Sequence, residues 1–429
     1  MNKTPVSPLA CVQQTRVLSA SVEFVERAFA TPLTISSGTI RTITEAQVRV
    51  EVEAGLRRGI GRGSIYLSDL WAWPDASRTH EQRDKILRDH CVYVAKELPS
   101  WCHDSAHPLE HGLRIHHLAT THPLLPPLAG ALCGSPFDAA IHDAVGHALG
   151  MSAFDFFQED FPTSTDALFP DAGAASAIRN LIRVPPATQL AGWFILNVGN
   201  DPQASVAGAL EQGFSRVKLK MSGKNAAEDA HYTAEVYRAF VARGVAEPLI
   251  SVDSNEGHAD STDVLAYLTA LQSVDPEAFE AVTYLEQPTA RDITVHAFNW
   301  RPVTELKPVL LDEGLTSLDL LPTAKDQGWS GLALKTCKGH SFALCAAAWA
   351  FQNGMVLSMQ DLTNPGLAAI HSWLFAAHVP TINGIELNSP QFTPDANIDW
   401  LPRLDGLFAP SDGFHRLPNP SPIGLGSLL

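Results

Sequence analysis

Val217-Lys218-Leu219-Lys220, Ser251-Val252-Asp253-Ser254-Asn255, Tyr284-Leu285-Glu286-Gln287-Pro288, Leu310-Leu311-Asp312-Glu313-Gly314 and Ala333-Leu334-Lys335 decide the fold. Each is a short apolar run that ends in ionisable residues. They are five of eight such runs, at 193–198, 215–220, 249–253, 282–286, 309–312, 331–335, 355–359 and 381–387. Amphipathic helical stretches such as 262–271 and 341–351 lie between them. Strand–helix alternation repeated eight times predicts an α/β fold, a closed parallel (β/α)8-type TIM barrel, in preference to an open doubly wound sheet. In such a barrel chemistry gathers at the C-terminal ends of the strands, where these charges lie.

Upstream the pattern changes. Residues from about 12 to 66 alternate apolar and polar, as in Gln47-Val48-Arg49-Val50-Glu51-Val52, the mark of half-buried antiparallel strands. Residues from about 79 to 150 read as helices, with Phe137, Ile141 and Val145 at helical spacing. The expected organisation is an α+β domain over 1–150, the barrel over 151–402, and a Pro-, Gly- and Ser-rich segment, 403–429, packing back on the first domain.

The 429 residues are 45% apolar and 18% charged, a composition that buries a core and excludes a disordered chain. A net charge of −16 repels phosphate backbones and argues against nucleic-acid binding. No run of about 18 apolar residues is present, so no membrane partner is expected. Residues 1–10 lack the layout of a signal peptide, and the six cysteines form no C-x-x-C pair. Both point to the cytoplasm and to reduced thiols.

Strand periodicity puts Lys218 and Lys220 on one face. Facing inward together, the two would repel each other and lose hydration. Both effects lower a lysine pKa and suit it to act as a base. Asp253, Glu286 and Asp312, on three consecutive strands, would form an all-oxygen site suited to Mg²⁺ rather than Zn²⁺. Glu313 and Lys338 read as bystanders. Histidines 103, 107, 111, 116, 117 and 122 read as a solvated helical face rather than a metal site. Tyr66, Trp71 and Trp73 read as packing between the two domains. Gly59-Ile60-Gly61-Arg62-Gly63 is not a nucleotide loop, because Trp71, Trp73 and Pro74 follow it instead of a helix.

The ordered set Lys-x-Lys, Asp-x-Asn, Glu-Gln-Pro, Asp-Glu, Lys, at spacings of 33, 33, 26 and 23 residues, resembles the enolase superfamily. The similarity is greatest to its branch of mandelate racemases and muconate lactonizing enzymes. Thr31-Pro32-Leu33-Thr34-Ile35-Ser36-Ser37-Gly38 is similar to the mobile lid segment of that family's capping domain. Ala139 to Gly146 is similar to the helix leading into its barrel. The resemblance implies a modified barrel under an N-terminal α+β cap, with Mg²⁺ held by Asp253, Glu286 and Asp312. It implies removal of the α-proton of a carboxylate substrate through a metal-stabilised enediolate, chemistry for which such enzymes use a Lys or His base. Lys220 matches the base, Lys218 the partner that tunes it, and Lys335 the acid, base or cation on the opposite face. Asn255, Ser36 and Asn388 are the expected substrate contacts, and a homo-oligomer is the expected assembly.

Racemisation or epimerisation, cycloisomerisation and a dehydratase-type elimination share that first step. A non-catalytic binding homologue is the alternative from another class. The seventh strand ends Leu357-Ser358-Met359-Gln360 without a histidine, which argues against a His–Asp dyad. The eighth ends Glu386-Leu387-Asn388, without the Asp-x-Asp with which dipeptide epimerases hold an amino group. Gly59 to Gly63 replaces the family's Gly-Trp-Gly-Glu, so a nonstandard second lid segment is expected around Arg62.

Overall fold

The computed structural model describes residues 7–35, 38–197 and 199–429. The alternating N-terminal residues form an antiparallel sheet of β1 (Thr15–Ile35), β2 (Gly38–Ala54) and β3 (Arg57–Tyr66), in that order. A four-residue helix, Asp69–Ala72, and three longer ones follow, His80–Trp101, Pro108–Thr120 and Pro127–Leu149. The helix His80–Trp101 opens with a capping box, in which Thr79 and Gln82 satisfy each other's backbone N–H groups.

The helix Pro127–Leu149 is buried along most of its length and packs on β3. Gly59, Gly61 and Gly63 alternate along that strand and face the helix. A Cβ there would stand 2.0, 2.1 and 1.9 Å from the carbonyl oxygens of Ala144, Ala140 and Pro136. The glycines therefore let strand and helix meet backbone to backbone. This corrects the expected second lid. Arg62 lies within β3, where its N–H donates to Asp143 Oδ2 at 2.9 Å. Its side chain lines a separate cavity with Arg27, Glu45 and Arg403.

The histidine-rich stretch also departs from expectation. His107, His111 and His116 are buried, because the face of the helix they occupy packs inward. His107 caps that helix by accepting from Leu109 N, and His111 Nε2 meets Thr15 O at 2.8 Å. His116 reaches two barrel loops, at Lys338 O and Thr316 O. Burial holds all three below the ordinary histidine pKa, His107 at about 3.

After β4 (Gln189–Ala191) come the seven parallel strands of the barrel. They are β5 (Phe194–Leu196), β6 (Arg216–Lys220), β7 (Leu249–Asp253), β8 (Val282–Glu286), β9 (Val309–Leu311), β10 (Gly331–Lys335) and β11 (Val356–Gln360), each paired with the next. The expected eighth strand shrinks to two residues. Ile385 pairs with Gly192 beside β5, and Glu386 with Gln360 of β11, so residues 385–386 close the wall. Just before them the Asn383 side chain takes both the N–H and the carbonyl of Met359, bonds a longer strand would have made through its backbone. Inside the barrel, Tyr284, Leu310 and Ala333 form a small apolar cluster below the strand ends.

The C-terminal residues do two things. β12 (Phe414–Arg416) pairs antiparallel with β4. Further on, Leu425 N and Ser427 Oγ donate to the buried carboxylate of Asp143 on the helix Pro127–Leu149. Among the described residues no helix is long and apolar enough to cross a membrane.

Candidate active site

Parallel register brings the strand-end charges together. Lys220 of β6 lies opposite Asp253 of β7, and Asp253 opposite Glu286 of β8. Asp312 follows β9 directly, and Lys335 of β10 lies opposite Gln360 of β11. The side chains repeat every second residue, so Lys218, Ser251, Tyr284, Leu310, Ala333 and Ser358 form a buried layer beneath. All the strand-end groups face one open cavity.

The charges are tightly interlaced. Lys220 Nζ donates to Asp253 Oδ2 at 2.5 Å and to Asn255 Oδ1 at 2.9 Å. Lys218 Nζ lies 2.9 Å from Glu286, 3.0 Å from Asp253 and 3.3 Å from Glu386. Lys335 Nζ lies 2.8 Å from Asp312 and 3.4 Å from Glu286, and donates to Gln360 Oε1. Burial opposes the charges on Lys218 and Lys335. The surrounding carboxylates outweigh it and raise both pKa values, that of Lys218 well above the lysine range. The expected lowering by mutual repulsion is therefore corrected for Lys218, whose nearest neighbours are acids. Burial likewise works against Asp312 and Glu286 as anions, but Lys335 and Lys338 at the first, and Lys218 and Lys335 at the second, outweigh it and lower both pKa values from their ordinary ones.

The bystanders belong to the cluster. Lys338 is buried, stands 3.1 Å from Asp312 Oδ1 and donates to Asp312 O. Glu313 is buried and accepts from Trp71 Nε1 at 2.9 Å, and its pKa is raised to about 8 by burial and then by Asp312 and Asp253. Two further residues at the barrel mouth had no assigned part. Glu386 accepts from Lys218 and is raised by burial. Gln287, at a φ of 30°, accepts from the backbone N–H groups of Asp312 and Gly314 and so fixes the turn that carries Asp312. Their only sequence signal was position, at or just past a strand end.

The expected substrate contacts separate. Asn255 lines the cavity. Asn388 does not, because its amide turns away to donate to Trp193 O at 2.8 Å. Ser36 lies outside the described residues. Of the aromatic cluster, Trp71 lines the cavity, while Tyr66 is buried in packing with Phe29 and its N–H donates to Asn364 of the barrel.

Among the described residues no three His, Cys, Asp or Glu side chains are arranged around a common centre that could hold a metal ion, because lysine ammonium groups stand between the carboxylates. The donor chemistry does fit a hard divalent cation. Asp253, Glu286 and Asp312 offer only oxygen from consecutive strand ends, and the two buried carboxylate oxygens of Asp312 meet only cations, Lys335 at 2.8 Å and Lys338 at 3.1 Å.

No family model matches the sequence, and no curated protein matches it. Solved structures do match. The N-succinyl Arg/Lys racemase from Bacillus cereus is 19% identical with a TM-score of 0.66, over 96% of this chain and 95% of that one. The 2-chloromuconate cycloisomerase from Rhodococcus opacus is 17% identical with a TM-score of 0.66, over 96% of each chain. A dipeptide epimerase from Enterococcus faecalis, solved with Mg and the dipeptide L-Leu-L-Tyr, is 16% identical with a TM-score of 0.64, over 96% of this chain and 99% of that one. Two further solved structures, each 18% identical with TM-scores of 0.64 and 0.63, are described as members of the enolase superfamily, and over 96% of its length this chain shares the fold of all five.

Proposed function

We propose that the chain is an enzyme of the isomerase type that removes the proton α to a carboxylate, and that the resulting enediolate either takes a proton back at the α-carbon, giving racemisation or epimerisation, or breaks a ring bond at the β-carbon, giving cycloisomerisation. One observation carries the reading. Lys220 and Lys335 stand on strands β6 and β10 around a single cavity, with the carboxylates of the three intervening strand ends between them. Asp253, Glu286 and Asp312 are the residues that would hold Mg²⁺, which supplies fixed positive charge against the charge developing on the substrate carboxylate. Lys220 takes the proton from one side, oriented by Asn255. Lys335 gives or takes it on the other, steadied by Gln360. Lys218 stays cationic among Asp253, Glu286 and Glu386 and offsets their charge. Trp71 and the apolar cap residues Leu33 and Ile40 exclude water from the reacting centre.

Solvent exchange tests this. With Mg²⁺ in deuterated water, an acid that the site accepts should gain deuterium at its α-carbon, and Lys220→Ala should suppress that gain. Absence of exchange in every class of α-protonated carboxylic acid tried would refute the proposal.

A further inference from the structure

The floor and the walls of the cavity differ in character. On the floor, Asp253, Glu286, Asp312 and Glu386 each pair with a lysine, and Lys218, Lys220 and Lys335 are the cations. Above them the cap contributes Leu33, Ile40 and Trp71, and the barrel adds Ile195 and Leu362. Among the described residues lining the cavity there is no arginine, no histidine, and no charged group on these upper walls. The remaining polar groups, Ser68, Asn255, Gln360 and Thr363, are neutral.

Trp71 is held in place from three sides. Its Nε1 donates to Glu313, and its carbonyl accepts from Arg291 Nη1 at 3.2 Å. Arg291 is itself gripped by Glu256, through Nε at 2.9 Å and Nη2 at 2.5 Å. The indole ring lies 5.8 Å from the Lys335 ammonium. The ring is therefore a fixed wall beside the reacting centre, not an adaptable one.

A charged group on the substrate, remote from the reacting carboxylate, would be buried against these walls without a counter-charge. Such burial is costly for either sign of charge. We propose that the substrate is a monocarboxylate whose remaining body is uncharged and apolar, and that Trp71, with Leu33 and Ile40, selects it. The proposal rests on the α-proton chemistry inferred for the same site.

The test compares acids that share a reacting centre. N-acetylphenylalanine, N-acetylglutamate and N-acetyllysine form one series, and 3-phenyllactate and malate a second. The full chain with Mg²⁺ is assayed for α-deuterium exchange and, by calorimetry, for equilibrium binding. The apolar member of at least one series should exceed its charged counterparts by about tenfold or more in kcat/KM and in affinity. Leu33→Arg, or Ile40→Arg should the first not fold, should shift the preference toward N-acetylglutamate or malate by about tenfold. Trp71→Ala should weaken the apolar acids most. Charged acids equal to or better than the apolar ones would overturn this inference and leave the α-proton chemistry standing. Failure of all five to bind or exchange would overturn both.

Discussion

Replacing Gly61 by alanine separates a packing role from a lid role for the glycine-rich strand. The new Cβ would stand 2.1 Å from Ala140 O and 2.2 Å from Ala144 N. Both are backbone atoms of a helix, so no side chain can swing aside. Ordinary contact begins near 3.4 Å, and the helix must retreat from β3 by about 1.3 Å. The bond from Arg62 N to Asp143 Oδ2, 2.9 Å long, would then open. Overpacking costs about 1–3 kcal/mol and a lost bond to a buried carboxylate about 1.5–3, so Gly61→Ala should lose about 3–5 kcal/mol altogether. Urea unfolding measures this as a lowered midpoint at unchanged slope. Ile60→Ala, on the outward face of the same strand, should stay within about 1 kcal/mol of the parent. A Gly61→Ala protein as stable as the parent, with only its KM raised, would refute the packing account and restore the lid.

Other outcomes follow from the same geometry. Burial lowers His371 and His415 to a pKa of about 4, below the ordinary 6.5, so on acidification the unfolded chain binds protons first. Stability is then full above about pH 6.5 and falls toward pH 4, by roughly 3 kcal/mol per histidine. Unfolding at pH 7 and 4.5 should show His371→Leu reducing that loss, and an unchanged loss would contradict the assignment. Mg²⁺ at about a hundred times its dissociation constant should stabilise the protein by about 2.7 kcal/mol. Asp253→Asn should largely remove the gain, which thermal unfolding reads directly. Lys220→Ala should slow α-exchange by about 10²–10⁴ for one enantiomer of a chiral substrate and Lys335→Ala for the other. Equal losses with both hands in each variant would argue against opposed lysines.

Much of the site was legible because two regularities act locally. Side chains repeat every second residue along a strand, and parallel neighbours align their ends. Together these bring Lys218, Lys220, Asp253, Glu286, Asp312 and Lys335 to one cavity. What was not legible depends on segments far apart in the chain. The spacing of Gly59, Gly61 and Gly63 says nothing of the helix, some 80 residues on, that touches them. His116 reads as exposed until the loops carrying Lys338 and Thr316 are seen to cover it. Glu313 reads as surface charge until Trp71 covers it. The direction of the Lys218 pKa shift was hidden for the same reason, since Glu386, 168 residues away, helps to set it.

The most direct test of the central claim is a crystal structure grown with Mg²⁺. The account predicts one ion held by Asp253, Glu286 and Asp312, with Lys220 and Lys335 facing the cavity from opposite sides. Carboxylates that remain locked to Lys218, Lys220 and Lys335 at saturating Mg²⁺, with no ion among them, would contradict it.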